Sequence, residues 1–245
     1  SSQEAWAVGL RYRVTNCKSG DYRYTVLKWN GSTWSQLSPT TTPSIPADGS
    51  TSQISNLNAV HVIPTATGSI GFAVGDTGTI LKWDGTQWTK DTSGSTENLT
   101  GIYVVSSNEA WAAGLNGTIL KWNGSAWSTS NSNTNRELSA ISMQDTDGDG
   151  LANIGWAVGA SGMIDTYNGS TWSPFDNGST KYSAVSSFSD KDAWVVGAGG
   201  TAIHWDGSAW MRGTTPAAGY VSWLTAIDGA SSTDIWAVGY WNSST

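Results

Sequence analysis

An acidic loop at residues 144–153 carries the sharpest chemical motif in the sequence. Asp145, Asp147 and Asp149 stand at alternate positions, a glycine follows, and Asn153 is the ninth residue counted from Asp145. Alternating carboxylates around one tight turn can present several oxygens to a hard cation, and Ca²⁺ takes roughly six to eight of them. We therefore predict a calcium site whose ligands are Asp145, Asp147, Asp149, the carbonyl of Leu151 and Asn153.

The twelfth position of this loop is Trp156 and not the bidentate glutamate of an EF-hand. The last ligand must then come from water or from another turn, such as Asp190 or Asp192. The loop resembles the calcium loops of dockerins and thrombospondin type 3 repeats, and the alternative is a solvated acidic turn. We expect a structural ion: with a Kd of about 10⁻⁴ M and external Ca²⁺ of about 10⁻³ M, binding would add about 1.4 kcal/mol.

Residues capable of catalysis are few and scattered. His61 and His204 fall in different repeats, and Cys17 is the single cysteine, so the chain cannot form an internal disulfide. Glu97 and Glu137 have no evident partner carboxylate for glycoside hydrolysis. No glycine-rich phosphate loop leads from a strand into a helix. These patterns predict a protein without catalytic activity.

The composition narrows the range of partners. A net charge of −7 makes phosphate backbones poor partners, which excludes nucleic acid. No apolar run approaches the roughly 20 residues of a membrane span. Only 13% of residues are charged, and Ser, Thr and Asn are abundant, which favours an extracellular or cell-surface protein. The chain is also a candidate glycoprotein. The first residues carry no signal peptide, so an export signal would have been removed or lie outside this chain.

Two motifs recur along the chain and define the elements that must position these residues. The first is an aromatic residue followed by two Ala or Val residues and Gly, and the second reads aromatic-Asn/Asp-Gly-x-x-Trp. After the first interval, successive copies of the first motif are 38–45 residues apart, the length of a four-stranded propeller blade. The first motif begins at Trp6, Phe72, Trp111, Trp156, Trp194 and Trp236, and the second at Trp29, Trp83, Trp122, Tyr167 and Trp205.

Each repeat contains four short strands, which we label A to D. Strand A is apolar, strand B is the Trp-Ala-Val-Gly run, strand C is the Gly-Thr-Ile-Leu-Lys-Trp run, and strand D opens at the second tryptophan. The Asn-Gly or Asp-Gly between strands C and D predicts a hairpin whose two turn positions both have φ > 0. Blades of this kind bury their faces only by stacking, so we predict an all-β fold, a β-propeller of four-stranded antiparallel blades.

We interpret residues 1–245 as a single propeller domain with five repeats and a partial sixth. The sequence contains six B strands but only five C–D hairpins, so the sixth blade is incomplete. This favours a segment of a longer chain that forms a six- or seven-bladed ring. The alternative is a five-bladed ring in which residues 224–228 complete the first blade. The repeats lie near residues 1–34, 54–91, 98–130, 137–175, 181–213 and 222–245.

Most of the 16 tryptophans occupy repeat positions and are predicted to pack between blades. The two exceptions are Trp223 and Trp241, both placed toward the face that carries the D–A and B–C connections. Two insertions reach the same face: an irregular loop at residues 10–25 and a Pro/Thr-rich loop at residues 35–53. We predict a protein- or glycan-binding surface there, the alternative being decorated loops or contacts with missing blades. Its candidate residues are Trp223, Trp241, Tyr12, Tyr22 and Tyr24.

The repeat Trp-Ala-Val-Gly…Gly-Thr-Ile-Leu-Lys…Asp-Gly-x-x-Trp is similar to that of photosystem II assembly-factor-like propellers and of the wider Asp-box (BNR) sialidase-like group. The resemblance spans roughly residues 4–239 and implies the propeller fold. Sialidase-like catalysis would imply an arginine cluster, a Tyr/Glu nucleophile pair and an acid, whereas three of the five arginines here crowd into residues 10–25.

The main functional prediction is a non-catalytic extracellular or cell-surface module for adhesion or for glycan or protein recognition, or a subunit of a surface assembly. The alternatives are an assembly factor for a membrane protein complex and a degenerate glycosidase. The full-length gene would discriminate among them, because an export signal, an anchor or a filament-forming domain would flank the segment in the first case.

Overall fold

The computed structural model describes residues 4–13, 22–37, 56–213 and 223–240. In these ranges the chain forms strands and three short 3₁₀ turns, and none of their helices is long and apolar enough to cross a membrane. The predicted all-β class is confirmed. The strands are β1 (Ala5–Arg13), β2 (Tyr22–Trp29), β3 (Trp34–Gln36), β4 (Leu57–Thr65), β5 (Gly68–Gly75), β6 (Ile80–Trp83), β7 (Trp88–Asp91), β8 (Leu99–Ser106), β9 (Glu109–Gly114), β10 (Ile119–Trp122), β11 (Trp127–Ser130), β12 (Leu138–Gln144), β13 (Ile154–Gly159), β14 (Met163–Tyr167), β15 (Trp172–Asp176), β16 (Tyr182–Ser189), β17 (Asp192–Gly197), β18 (Ala202–Trp205), β19 (Trp210–Arg212), β20 (Trp223–Ser231) and β21 (Asp234–Tyr240).

The sheets are the predicted blades, and the fold is a β-propeller. Strands β4 to β7, β8 to β11, β12 to β15 and β16 to β19 form antiparallel sheets whose strand order follows the chain, which is the predicted A-B-C-D meander. The described residues add a three-stranded sheet, β1 to β3, and a two-stranded sheet, β20 and β21. The chain divides into two compact units, residues 1–112 with 120–129 and residues 113–119 with 130–245.

In the first unit, aromatic side chains join successive blades. Trp6 on β1 lies 4.8 Å from Trp83 and 5.5 Å from Trp88, measured between ring centroids. Phe72 on β5 lies in the same way against the tryptophans at the ends of β10 and β11, at 5.3 and 5.0 Å. The strand B aromatic of one blade is therefore covered by the paired aromatics of the next blade, and this confirms the predicted packing role for these tryptophans. The prediction is wrong for Trp34 and Trp236, which are 50% and 74% exposed.

The second unit repeats this arrangement. Trp156 on β13 is buried in one cluster with Val185 and Ile203 of the following blade, and Trp205 and Trp210 pack against that cluster. One blade further, Val196 packs with Leu224 of β20. Because no blade can bury both of its faces alone, these inter-blade contacts supply the core.

Polar side chains join the innermost strands of neighbouring blades. In the first unit His61 Nδ1 accepts a hydrogen bond from the Val104 amide at 2.8 Å, so this nitrogen carries no proton. In the second unit the hydroxyls of Ser142 and Ser187 are 2.7 Å apart, and Gln144 Nε2 donates to the Ser187 carbonyl. Hydrogen bonds of this kind satisfy polar groups that apolar packing would leave unpaired.

The turn between strands B and C requires glycine at its third position. Gly78 has φ +67°, its amide donates to the Glu97 carbonyl at 2.8 Å, and a Cβ atom there would lie 1.8 Å from the Ser95 carbonyl oxygen. The preceding Thr77 also has a left-handed φ of 53°. The glycine that opens every Gly-Thr-Ile-Leu run is therefore needed for close approach to the D–A connection.

The predicted geometry of the C–D hairpins is wrong in one respect. Trp29 pairs directly with Trp34, so the loop has four residues and not two, and Gly31 has φ 95° while Asn30 is not among the residues with positive φ. Asn30 Oδ1 accepts hydrogen bonds from the amides of Ser32 and Thr33 at 3.0 and 2.9 Å. The Asn or Asp side chain closes the turn, which removes the need for a left-handed backbone at that position.

Substitutions at Asn123 test this role of the side chain. Asn123→Ala is expected to lower the free energy of unfolding by about 1–2 kcal/mol, because three hydrogen bonds to Oδ1 are lost. Asn123→Asp should have little effect, since Asp206 accepts the same hydrogen bonds in another blade. Those hydrogen bonds, first among them the one from the Ser208 side chain, lower the pKa of Asp206 to about 2. Urea denaturation followed by tryptophan fluorescence would measure both, and equal losses would contradict the interpretation.

Candidate functional site

The acidic loop connects β12 to β13, as predicted. One carboxylate oxygen each from Asp145, Asp147 and Asp149 can be chosen so that all three lie within 4.8 Å of one another. Such a group can hold a cation. Among the described residues this is the one group of three or more His, Cys, Asp or Glu side chains so arranged.

Hydrogen bonds within the loop hold the carboxylates in place. Asp145 accepts from the amides of Gly150 and Gly148 at 2.8 and 2.7 Å, and these bonds, that from Gly150 first, hold its pKa below the usual value. Asn153 Oδ1 accepts from the Thr146 amide and hydroxyl, both at 2.9 Å. Three carboxylates that meet in one loop match the chemistry of a hard cation.

The twelfth loop position is not available to a cation, because Trp156 is buried on β13 and packs between sheets. The carboxylates suggested for the last ligand belong to the turn of the next blade. Asp192 Oδ1 is 2.8 Å from His204 Nε2, in the position where other blades pair an acid with lysine. Asp190 accepts a hydrogen bond from Trp205 through its backbone carbonyl.

An open cleft of about 540 Å³ in the second unit is formed by the connection between β11 and β12 and by strands β14 and β15. Most of its lining side chains carry amide or hydroxyl groups, Met163 and Pro174 are apolar, and Arg136 and Asp176 form an ion pair. The full lining comprises Asn131, Asn133, Thr134, Asn135, Arg136, Met163, Pro174 and Asp176.

Arg136 is held at this cleft by two hydrogen bonds. It donates to the Ser161 carbonyl at 3.1 Å and to Asp176 Oδ2 at 2.8 Å. The bond from Arg136, followed by that from the Gly178 amide, holds the pKa of Asp176 below its usual value. Because both side chains reach solvent, an acidic ligand could exchange with Asp176 for the guanidinium at small cost.

A smaller cleft of about 330 Å³ in the first unit contains Glu4, Trp6 and Lys28. Lys28 pairs with Glu4 at 2.8 Å and lies 5.0 Å from the centre of the Trp6 ring. Lys121 makes the same pair with Glu109 and lies over Trp111. Because the combination recurs from blade to blade, it belongs to the structure of the repeat and not to a catalytic dyad.

Trp223, a predicted ligand-binding residue, contacts the preceding blade. Its Nε1 donates to Ser183 Oγ at 2.7 Å, its backbone forms a bridge with Ala198, and its side chain is half-buried. Trp241 lies outside the described residues. A role of either residue in ligand binding stays a prediction.

The insertion at residues 10–25 is not an irregular loop at its ends, and that prediction is wrong there. Strand β1 continues to Arg13 and β2 begins at Tyr22, with Tyr12 opposite Arg23 and Arg13 opposite Tyr22. The side chains of Tyr12, Tyr22 and Tyr24, residues 14–21 and residues 38–55 lie outside the description. Alternating polar and aromatic residues extend the sheet at both ends of the segment that was predicted to be a loop.

Sequence reasoning missed two features of the second unit. The cleft beside Arg136 arises from residues of three segments, and no local motif marks it.

Asp165 is fully buried on β14, and within the described residues neither of its carboxylate oxygens has a hydrogen-bond partner. An alignment of the repeats could have found it, because Leu81 and Leu120 occupy the same position in other blades.

No family model and no curated protein sequence matches the chain. Solved structures are similar to it. A structure described as YCF48 bound to D1 peptide has a TM-score of 0.58 and 17% identity over 90% of this chain and 71% of that one. YCF48 from Cyanidioschyzon merolae has a TM-score of 0.54 and 16% identity over 96% of each chain. The resemblance to photosystem II assembly-factor-like propellers is confirmed at the level of the fold.

Proposed function

We propose that this chain is a non-catalytic protein-recognition module that binds an extended segment of a protein partner at the cleft beside Arg136. The observation that carries the proposal is the cleft itself, an open volume of about 540 Å³ lined by three asparagines, a threonine, two apolar side chains and the ion pair of Arg136 and Asp176. In this role the chain would serve as an assembly factor for a membrane protein complex or as a subunit of a larger assembly.

The chemistry of the cleft suits a peptide. Asn131, Asn133 and Asn135 are exposed. Asn131 donates to Asn133 Oδ1 at 2.8 Å and Asn133 donates to the Trp172 carbonyl at 2.9 Å, which holds both amides in place, and an extended backbone can pair with their remaining N–H groups and lone pairs. Arg136 can bind a carboxylate, while Met163 and Pro174 provide apolar contact. Among the described residues that line the cleft none is aromatic, whereas sugars stack on aromatic rings, so this lining favours a protein ligand over a glycan.

The structural comparison supports the same class of partner. One of the similar structures is bound to a peptide. The low charge and the abundance of Ser, Thr and Asn support an extracellular or cell-surface location as part of the proposal.

The proposal includes no catalytic step. Three acid–base pairs of the described residues occupy equivalent positions in their blades, two residues before the strand B tryptophan and one before the end of strand C: Glu4 with Lys28, Glu109 with Lys121, and Asp192 with His204. Their recurrence suits a structural role in the repeat.

Selection from a random-peptide phage library, followed by fluorescence anisotropy with the selected peptides, tests the proposed function. Arg136→Ala and the bulky substitution Asn135→Tyr should each weaken binding at least about tenfold, equivalent to about 1.4 kcal/mol. Arg212→Ala is the matched control, because it removes an exposed arginine on β19 that is not part of the cleft. Failure to select any peptide, or equal losses of affinity for Arg136→Ala and Arg212→Ala, would contradict the proposal.

Calcium is a further part of the proposal, supported by the three converging carboxylates of the loop at residues 145–153. The residues that would hold Ca²⁺ are Asp145, Asp147, Asp149 and Asn153 with the carbonyl of Leu151. A bound ion would neutralise the repulsion among the carboxylates and fix the connection between β12 and β13.

Calcium removal should measurably lower thermal stability. We expect 1 mM Ca²⁺ to raise Tm by about 3–6 °C over EDTA, corresponding to about 1.4 kcal/mol. The double variant Asp147→Asn, Asp149→Asn should abolish this increase, and Mg²⁺ at the same concentration should not reproduce it. Differential scanning calorimetry would decide, and a Tm indifferent to EDTA would argue for a solvated turn.

A further inference from the structure

Strand β15 is the last strand of its sheet and pairs with β14 on one side. At such an edge, the backbone N–H and C=O groups of alternate residues point away from the sheet. Two hydrogen bonds show which residues these are. The Asn177 amide donates to the Gly162 carbonyl at 2.9 Å, so Asn177 is directed toward the chain of β14. The Trp172 carbonyl accepts from Asn133 Nδ2 at 2.9 Å, so Trp172 is directed outward.

Pro174 and Asp176 share the outward direction of Trp172. The three are two residues apart along β15, and backbone hydrogen-bonding directions alternate from one residue to the next. Proline agrees with this assignment, because it has no N–H to donate to a neighbouring strand and is tolerated where that group would face outward. The outer edge of β15 therefore offers the carbonyl of Pro174 and both the N–H and the carbonyl of Asp176.

The cleft beside Arg136 borders this edge. Pro174 and Asp176 line it together with the connection between β11 and β12. Asn133 from that connection already donates an amide N–H to the Trp172 carbonyl, as the backbone of an added strand would. A ligand backbone can therefore continue the pairing from Pro174 to Asp176.

The charge at the cleft indicates which side chain such a ligand carries. Arg136 Nη2 lies 2.8 Å from Asp176 Oδ2, and both side chains reach solvent, so an acidic side chain on the added strand can bind the guanidinium. Met163 and Pro174 offer apolar contact in the same cleft. Because side chains two residues apart lie on the same face of a strand, an acidic and an apolar residue at that spacing fit this lining.

We propose that the partner segment binds by β-strand addition, pairing its backbone with Pro174 and Asp176 at the edge of β15 and placing an acidic side chain against Arg136. This inference rests on the proposed peptide-recognition function and adds its binding mode. Main-chain hydrogen bonds supply affinity in this mode, and the alternate side chains supply specificity.

An N-methyl scan of a peptide selected on the wild-type chain tests the pairing from the ligand side. Each N-methyl group removes one backbone N–H, and strand addition uses only those N–H groups that face β15. Fluorescence anisotropy should show losses of affinity of about tenfold at alternate residues and little change at the residues between them. Exchanging the acidic residue of the peptide for the corresponding amide should also weaken binding.

Two substitutions test the pairing from the protein side. Asp176→Pro removes both the carboxylate and the N–H, whereas Asp176→Asn removes the same charge and keeps the N–H. We expect Asp176→Pro to bind the peptide about tenfold more weakly than Asp176→Asn, with near-ultraviolet circular dichroism to show that both chains are folded. Hydrogen exchange needs no variant: the peptide should slow exchange of the Asp176 amide and leave that of Phe175, which pairs with Ile164 of β14, unchanged.

The possible outcomes separate this inference from the proposed function. Affinity losses without alternation, or a bound peptide that leaves exchange of the Asp176 amide unchanged, would overturn strand addition while peptide recognition still stands. Failure to select any peptide would contradict the proposed function and this inference with it.

Discussion

Replacing Trp111 by alanine is expected to lower the free energy of unfolding by about 3–5 kcal/mol. Trp111 is 1% exposed on β9, and its indole nitrogen donates to the carboxylate of Glu109, which is itself fully buried. The substitution opens a cavity at a buried position and also removes a hydrogen-bond donor from a buried carboxyl group. Chemical denaturation with the m-value checked for constancy measures the loss.

Trp236 offers a matched control for this prediction. It occupies the same repeat position and makes the same indole–carboxylate hydrogen bond, but it is 74% exposed. Trp236→Ala should cost less than about 1 kcal/mol, since little apolar area is removed from contact. Similar losses at both positions would contradict the view that the repeated indoles act by packing between blades.

Asp165 should make the protein less stable as the pH rises through the weakly acidic range. Its carboxyl group is fully buried at a position where Leu81 and Leu120 stand in other blades, and burial raises its pKa to about 7. Within the described residues no hydrogen bond compensates a charge on either oxygen. The folded chain therefore keeps this carboxyl protonated where the unfolded chain ionises it.

The sign follows from this difference in bound protons. Below about pH 4 Asp165 is protonated in both the folded and the unfolded state, so its burial carries no charge penalty. Between about pH 4 and pH 7 the carboxyl ionises only in the unfolded state, and the free energy of unfolding therefore falls as the pH rises. Above about pH 7 the loss of stability is complete. We expect a total loss on the order of 3 kcal/mol, allowing for partial screening by solvent. Urea denaturation at intervals from pH 4 to pH 8.5 would reveal it.

Two variants separate this titration from other pH effects. Asp165→Leu restores the side chain of the neighbouring blades and should remove the loss between pH 4 and pH 7 while raising stability at pH 8. Asp176→Asn, which removes an exposed carboxylate whose pKa is lowered by Arg136, should leave that part of the profile in place. A profile of Asp165→Leu parallel to the wild type would mean that Asp165 is not the titrating group.

The recurrence of the two motifs was sufficient to predict the blades. Strand A of the third blade was predicted at residues 99–105 and β8 spans Leu99–Ser106; the acidic loop was predicted in an A–B turn and connects β12 to β13. Such predictions succeed because strand alternation and aromatic spacing are local properties of the chain. The role of the repeated indoles followed for the same reason, since side chains in register in every blade meet the same neighbours.

Local sequence patterns did not predict the structure where a side chain closed a turn in place of a left-handed backbone, or where segments distant in sequence meet. The Asn-Gly pair suggested a two-residue turn, but the Asn30 side chain closes a four-residue loop. The cleft beside Arg136 draws on the connection after β11 and on strands β14 and β15, which are far apart in sequence. No single stretch contains a signal for such a site.

By itself the sequence determined the class of fold, the order of strands in each blade and the residues of the acidic loop, because spacing and turn chemistry are written residue by residue. Tertiary structure alone decided which copies of a repeated residue are buried. Trp111 and Trp236 are equivalent in sequence, yet the first is 1% and the second 74% exposed. Burial depends on what covers a side chain, and that cover comes from another blade.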